Sequence, residues 1–138
     1  MAQEQDFKIK QLTKDHTPDE PRERQRILDS GGRIDSYRDR YGNPMGPNRV
    51  WLKSANEPGL CLTRSFGDAI AQSVGCNSRP DICEYNLKPD DKCLIVASDG
   101  IWTFMSNEDV ASVIYPFYLK QDAEGAAEQL MRVANRTW

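Results

Sequence analysis

The chain has 138 residues, the length of a single domain, which is enough to bury roughly two-thirds of the surface that the unfolded chain exposes. Its net charge of −3 comes from 18 basic and 21 acidic residues mixed along the sequence, so no basic block indicates nucleic-acid binding. No apolar run has membrane-spanning length, no apolar leader begins the chain, and four cysteines without Cys-x-x-Cys spacing beside one histidine argue against a zinc site.

The first half of the chain predicts a helix among short strands. Alternation of polar and apolar residues predicts a strand at 8–13. A helix is predicted to begin near residues 19–20, because Pro21 is tolerated only in a first turn, and Gly31-Gly32 is suited to its end. Further strands are predicted at 33–37, 49–52 and 60–63, an exposed loop at 38–48, and a short helix at 68–75.

Two strands are predicted in the second half, at 82–87 and 92–98, with a turn at 88–91 between them. The second strand is the strongest in the chain, because its apolar run ends abruptly at Asp99 and Gly100. This pattern places one carboxylate at the end of a sheet. From these residues alone, Asp99 either caps a turn or binds a metal ion.

The remaining sequence predicts two helices. Ser106 and Asp109 form a variant of the capping box at the start of the first helix, which extends to about Lys120 unless Pro116 kinks or ends it. Asp122 opens the last helix. The apolar face of that helix is formed by Ala126, Leu130, Val133 and Ala134. The whole pattern predicts an α+β fold with an antiparallel sheet and helices packed on one side.

Four groups of motifs occur between about residues 10 and 115. The first is Leu-Thr-Lys-Asp-His-Thr-Pro at 12–18, with Glu23, Arg26-Ile27 and Gly31-Gly32 downstream. The second is Arg-Val-Trp-Leu at 49–52, with Pro-Gly-Leu at 58–60 and Thr-Arg-Ser-Phe-Gly-Asp at 63–68. The third is Arg-Pro-Asp-Ile at 79–82, and the fourth is Ala-Ser-Asp-Gly-Ile-Trp at 97–102, with Ser-Asn-Glu at 106–108. Together and in this order, they resemble the metal-dependent serine/threonine protein phosphatases of type 2C.

The resemblance implies part of an α-β-β-α sandwich, with antiparallel sheets flanked by helices, that is incomplete in this chain. It aligns residues 1–138 with the C-terminal portion of the catalytic domain, with 1–6 expected to be disordered and 38–57 corresponding to a flap-like region. The family's earlier half carries an Asp-Gly-His-Gly motif, an acidic metal ligand and a phosphate-binding arginine, which are absent here. We therefore assign no catalytic residue.

Asp99 is the one residue that matches a metal ligand of the family. The resemblance implies two or more Mg²⁺ or Mn²⁺ ions in a complete domain. One carboxylate does not outcompete the hydration of a divalent ion, so we expect this chain alone not to hold them. Thr103 replaces an acid that the family usually has shortly after the tryptophan, which changes the charge around the metals.

Three residues are candidates for substrate binding. Arg64 and Asp68 flank Ser65-Phe66-Gly67, where they either end a strand and cap a helix or face the substrate. Arg38 lies in the flap-like region, where it either is solvated or contacts a phosphorylated, acidic peptide. His16 is interpreted as structural, because the family's proposed general-acid histidine belongs to the absent motif.

The resemblance implies a cytoplasmic or nuclear phosphatase that hydrolyses phosphoserine and phosphothreonine in proteins when whole, with phosphoproteins as partners and neither nucleic acid nor membrane. We expect the isolated chain to be inactive or nearly so, and to self-associate through exposed sheet edges. Two alternatives stay open. One is a pseudophosphatase-like binding module that keeps the fold without the metals, and the other is a fragment with no independent role.

Overall fold

The computed structural model describes residues 8–137, so the expected disorder of residues 1–6 lies outside the described part of the chain. The fold is α+β and consists of two compact units. We call residues 13–83 the sheet unit, and residues 84–137 together with 8–12 the helical unit. Among the described residues, no helix combines the length and apolarity that crossing a bilayer requires.

The sheet unit begins with helix α1, Pro21–Asp29, as the sequence predicts. Glu20 is its N-cap, and the Glu20 carboxylate accepts hydrogen bonds from the backbone N–H groups of Arg22 and Glu23. Pro21 occupies the first helical position, where no N–H is needed. Beyond its last turn, Gly31 has a φ of 82°, the left-handed conformation that glycine adopts without a steric penalty.

A three-stranded antiparallel sheet follows, in the order β1-β2-β3. The strands are β1, Gly32–Arg38; β2, Pro44–Leu52; and β3, Pro58–Leu60. The register of β1 against β2 runs from Gly32 opposite Leu52 to Arg38 opposite Pro44, with an irregularity between Asp35 and Tyr37. Helix α2, Ala69–Ser73, completes the unit. Its core contains Ile27, Val50, Ala71, Val74 and Cys76.

Two predictions in the sheet unit need correction. The predicted loop at 38–48 is a hairpin, because β2 already begins at Pro44 and only residues 39–43 turn the chain. The Asp39 carboxylate accepts hydrogen bonds from the backbone N–H groups of Tyr41 and Asn43, which stabilises this tight turn. The strand predicted at 60–63 is also displaced, since β3 pairs at 58–60 and Thr63 instead donates its backbone N–H to the His16 carbonyl at 2.8 Å.

The helical unit contains α3, Asp99–Trp102; α4, Asn107–Tyr118; and α5, Ala123–Thr137. The predicted capping box is present, because the Ser106 hydroxyl accepts from the Asp109 N–H and the Asp109 carboxylate accepts from the Ser106 N–H. Pro116 lies inside α4, which continues to Tyr118. The buried cluster of this unit comprises Ile101, Met105, Val110, Ile114, Leu130 and Ala134.

The strands predicted at 8–13, 82–87 and 92–98 are wrong for this structure. A strand is defined by hydrogen bonds to a neighbour, and within the described residues these segments have no neighbouring strand. The predicted turn at 88–91 is present, with the Asp91 N–H donating to the Lys88 carbonyl at 3.0 Å. The apolar pattern does not establish a ladder, because a ladder depends on a partner segment.

Candidate functional site

The most highly connected polar group of the sheet unit is the carboxylate of Glu23, which is only 2% exposed. Arg26 donates from Nη1 to Oε1 at 2.8 Å and from Nη2 to Oε2 at 2.7 Å. Arg64 donates from Nη2 to Oε1 at 2.6 Å, and the Thr63 hydroxyl donates to Oε2. Two guanidinium groups and one hydroxyl therefore satisfy a buried charge that would otherwise destabilise the fold.

The environment of Glu23 acts on its pKa in two opposite directions. Burial penalises the charged form and would raise the pKa of the carboxyl group. The hydrogen bonds from Arg26, Arg64 and Thr63 outweigh that penalty and hold the pKa of Glu23 well below its ordinary value. Glu23 is therefore ionised at neutral pH and acts as a fixed anion rather than as a proton donor.

Arg64 connects this buried carboxylate to the surface. Its Nη1 donates to Asp81 Oδ1 and to the Arg79 carbonyl, both at 2.7 Å. Asp81 is 71% exposed, and its Oδ2 lies 3.0 Å from His16 Nε2. The hydrogen bonds from Arg64 and then His16 lower the pKa of Asp81, while the bonds to Glu23 and then Asp81 raise the pKa of Arg64.

We call Glu23, Arg26, Arg64, Asp81 and His16 the ionic network. An open cleft of about 300 Å³ lies beside it. The cleft is lined by His16, Arg64, Ser65, Phe66, Ser78, Arg79, Pro80 and Asp81. It carries both signs of charge, and the charges of Arg64 and Asp81 already compensate each other.

The three predicted substrate-binding residues all belong to the sheet unit, and the side chain of each forms a hydrogen bond or ion pair within that unit. Arg64 directs its guanidinium to Glu23 and Asp81. The carboxylate of Asp68 accepts from the Ala71 N–H at 2.9 Å and caps α2. Arg38 pairs with Asp35 at 3.1 Å on the exposed hairpin. These contacts support the structural alternatives for Arg64 and Asp68, and a substrate-binding role of all three stays a prediction.

Asp99 lies in the helical unit, as the first residue of α3. The expectation that it ends a core strand is therefore wrong here. Its carbonyl accepts from the Thr103 N–H at 2.9 Å, and the following Trp102 donates its indole N–H to the Ala97 carbonyl at 2.9 Å. Between residues 8 and 137, no group of three or more His, Cys, Asp or Glu side chains converges as metal ligands would. These residues do not fit a binuclear metal centre, and Asp99 as a metal ligand stays a prediction.

Sequence reasoning placed His16 in a structural role but did not identify the ionic network. Glu23, Arg64 and Asp81 each lie in a separate motif, and Glu23 is 41 residues from Arg64 in the sequence. Spacing along one chain gives no signal for such a contact. The available signal is Glu23, an acid in the amphipathic helix α1, together with Arg64 in a later motif that also carries the family resemblance.

Comparison with known proteins agrees with the motifs. The sequence matches the protein phosphatase 2C family over residues 1–137. It is 34% identical over 140 residues to probable protein phosphatase 2C 61 of Arabidopsis thaliana, covering 99% of this chain and 40% of that protein. It is 38% identical over 128 residues to probable protein phosphatase 2C 73 of Oryza sativa subsp. japonica, covering 93% of this chain and 29% of that protein.

The fold is also similar to the crystal structure of serine-threonine phosphatase 2C from Toxoplasma gondii. The TM-score is 0.70 with 24% sequence identity, over 89% of this chain and 40% of that chain. The chain belongs to the protein phosphatase 2C family. It spans 40% or less of the length of the relatives named here, so it shares part of their sequence and fold.

Proposed function

We propose that this chain is the C-terminal portion of a serine/threonine phosphatase domain that hydrolyses phosphoserine and phosphothreonine in proteins when whole. The observation that carries the proposal is the family match over residues 1–137, supported by relatives named as phosphatases. We further propose that this activity is metal-dependent, with Mg²⁺ or Mn²⁺, and that the whole protein acts in the cytoplasm or nucleus.

We propose that the isolated chain is inactive or nearly so. Hydrolysis of a phosphomonoester requires concentrated positive charge to neutralise the phosphoryl oxygens in the transition state. In the sheet unit, the Arg64 charge is already neutralised by Glu23 and Asp81. In the helical unit, Asp99 lacks the further ligands, among the described residues, that would hold a metal ion.

The exposed arginines of the hairpin support a role in substrate binding. Arg38 is 54% exposed and lies near Arg40 at the turn, where guanidinium groups can donate two hydrogen bonds to a phosphate or carboxylate. We propose that Arg38 contributes to the binding of phosphorylated, acidic peptides. Arg38→Ala in an active, longer polypeptide should raise KM several-fold with little change in kcat, and Arg24→Ala on α1 is the matched control.

The activity itself is tested with a phosphothreonine peptide and Mn²⁺. The isolated chain is compared with a longer polypeptide in which it is joined to the portion of a relative that it does not span. We expect turnover from the longer polypeptide alone. Asp99→Asn should abolish that turnover, whereas Asp90→Asn, in the exposed turn at 88–91, should not. Robust turnover by the isolated chain would contradict the proposed inactivity.

The alternative function is a pseudophosphatase-like binding module. It is favoured by Thr103, which stands where the family usually has an acid and ends helix α3 without adding negative charge. Calorimetric titration of the longer polypeptide with Mn²⁺ separates the two functions. A phosphatase should show at least one site that Asp99→Asn removes, and a binding module should show none.

A further inference from the structure

The cleft beside the ionic network holds one anionic group that the chain itself supplies, the carboxylate of Asp81. Asp81 Oδ1 accepts a hydrogen bond from Arg64 Nη1 at 2.7 Å, and Asp81 Oδ2 lies 3.0 Å from His16 Nε2. The two oxygens of one carboxylate therefore bridge an arginine and a histidine. The Asp81 side chain is nevertheless 71% exposed, so solvent and dissolved anions reach the same place.

Arg64 is held in position for this contact by bonds on its other side. Its Nε donates to Glu23 Oε2 at 3.1 Å, and its Nη2 donates to Glu23 Oε1 at 2.6 Å. Its Nη1 donates to Asp81 instead, on the side of the cleft. The Arg64 side chain is only 15% exposed, and a donor that is already fixed loses little conformational freedom when it binds a ligand.

The rest of the cleft favours negative charge. Arg79 and Ser78 line it and are exposed, so a second guanidinium group and a hydroxyl are within the same cavity. In the described part of the chain, Asp81 is the sole acidic residue among those that line the cleft. If the Asp81 carboxylate moved away, the lining would present two guanidinium groups and no carboxylate.

We propose that this cleft is a phosphate-binding site, which the Asp81 carboxylate occupies in the free chain and vacates when a phosphate group binds. A phosphate group has enough unesterified oxygens to replace both contacts of Asp81, with Arg64 and His16, and to accept from Arg79 as well. The exchange costs little, because an ion pair with a solvent-exposed partner adds little to stability. The buried bonds between Arg64 and Glu23 stay in place throughout.

Titration of the full 138-residue chain with inorganic phosphate tests the site, followed by nuclear magnetic resonance. His16 is the sole histidine in the sequence, so its ring signals report on the cleft without overlap. The pH is held constant, and sodium chloride keeps the ionic strength constant. Because binding rather than turnover is measured, without a metal ion, the result does not depend on whether the whole protein is an active phosphatase.

Removing the internal carboxylate should strengthen phosphate binding. We expect Asp81→Ala to lower the dissociation constant for phosphate by about tenfold relative to wild type, because a competing and repelling charge is gone. Asp81→Asn, which keeps the size of the side chain, should change it in the same direction. Asp90→Ala removes the same charge from the exposed turn at 88–91 and should match wild type. Circular dichroism checks that each variant folds.

A second pair of variants locates the bound phosphate. Arg79→Ala, introduced together with Asp81→Ala, should raise the dissociation constant several-fold, whereas Arg24→Ala on the exposed side of α1 should not. The proposal is overturned if Asp81→Ala binds no phosphate, if it binds no more tightly than wild type and Asp90→Ala, or if Arg79→Ala has no effect.

A phosphoserine peptide and its unphosphorylated counterpart distinguish two sources of the phosphate group. Tighter binding of the phosphopeptide than of inorganic phosphate supports the site with a phosphorylated protein as the source. Binding of inorganic phosphate without the phosphopeptide supports it with a small anion as the source. Equal binding of the two peptides to Asp81→Ala would contradict the proposal, because the phosphate group would then not be what the cleft recognises.

Discussion

Glu23 is an acidic residue whose side chain is almost fully buried, and its hydrogen bonds explain this burial. A carboxylate is rarely fully buried unless it is paired, and this one has two arginines and a hydroxyl around it. The network joins α1 to the segments that carry Arg64 and Asp81. We therefore expect its contribution to be structural, through the fixed geometry of the sheet unit.

Removing the charge should destabilise the protein. Glu23→Gln leaves the guanidinium groups of Arg26 and Arg64 beside a neutral amide, and breaking one side of a buried ion pair destabilises by about 3 kcal/mol. Urea unfolding followed by circular dichroism measures the change. Glu128→Gln is the control, because the Glu128–Arg132 pair is exposed and its loss should change the free energy of unfolding by about 0.5 kcal/mol or less. Equal effects of the two substitutions would contradict the role assigned to Glu23.

The stability contributed by Glu23 should depend on pH. Its pKa is lower in the folded protein than its ordinary value of 4.5, so the unfolded chain binds the proton first as the pH falls. The contribution is complete above about pH 5 and decreases progressively below it. The difference in free energy of unfolding between wild type and Glu23→Gln should therefore be smaller at pH 3.5 than at pH 7. A difference that grows on acidification would refute this assignment.

Gly59 is a second position where one residue type is required. Its φ is 73°, and a Cβ atom there would lie 2.8 Å from Trp51 Cζ3. Gly59→Ala should destabilise by about 2–3 kcal/mol, because left-handed strain adds to a clash with a buried ring. Gly42→Ala separates the two effects, since Gly42 has a φ of 85° with open space around it and should lose about 1 kcal/mol. Urea unfolding of both variants checks the order.

At the scale of elements, local signals predicted helices well. The N-cap Glu20 with Pro21, the Asp68 cap and the Ser106 capping box are all present where the sequence predicted helix starts. These features are contained within four consecutive residues, so no distant contact is needed to form them. The strands were predicted less well, because a strand needs a partner segment. β1 and β2 pair across a short turn, whereas residues 92–98 have no such neighbour within the described residues.

The cap of α4 supplies the prediction at this scale. Ser106→Ala removes the acceptor of the Asp109 N–H and should destabilise the helical unit by about 1 kcal/mol. Ser112→Ala, in the exposed middle of the same helix, should be neutral or slightly stabilising, because alanine has the higher helix propensity. Thermal unfolding followed at about 222 nm, a wavelength that reports helix, should show a lower midpoint for the first variant only.

At the scale of the whole molecule, the division into two units separates the predicted site residues. Arg38, Arg64 and Asp68 belong to the sheet unit, and Asp99 belongs to the helical unit. The ionic network is complete within the sheet unit, whereas the described part of the helical unit offers Asp99 without a set of metal ligands. The family match covers residues 1–137, whereas the ionic network lies in the sheet unit and the predicted metal ligand lies in the helical unit.

Metal binding by the isolated chain is testable at this scale. A ligand that binds only the folded state raises the midpoint of thermal unfolding, and the stabilisation grows with the logarithm of the ligand concentration divided by its dissociation constant. We expect millimolar Mn²⁺ to leave the midpoint of this chain unchanged, and Asp99→Asn to behave like wild type. A shift that disappears in Asp99→Asn would show that Asp99 binds metal without further ligands from the rest of a domain.

The sequence by itself determined the family, the helix starts set by caps, and the positions but not the full lengths of strands β1 and β2, because these depend on neighbouring residues or on motifs in a fixed order. Only the tertiary structure decided that Glu23, Arg64 and Asp81 meet, and that Leu94 and Val96 are exposed and have no neighbouring strand within the described part of the chain. Ion pairs and strand pairing join residues far apart in the sequence, and their formation depends on the packing of whole elements rather than on local conformational preference.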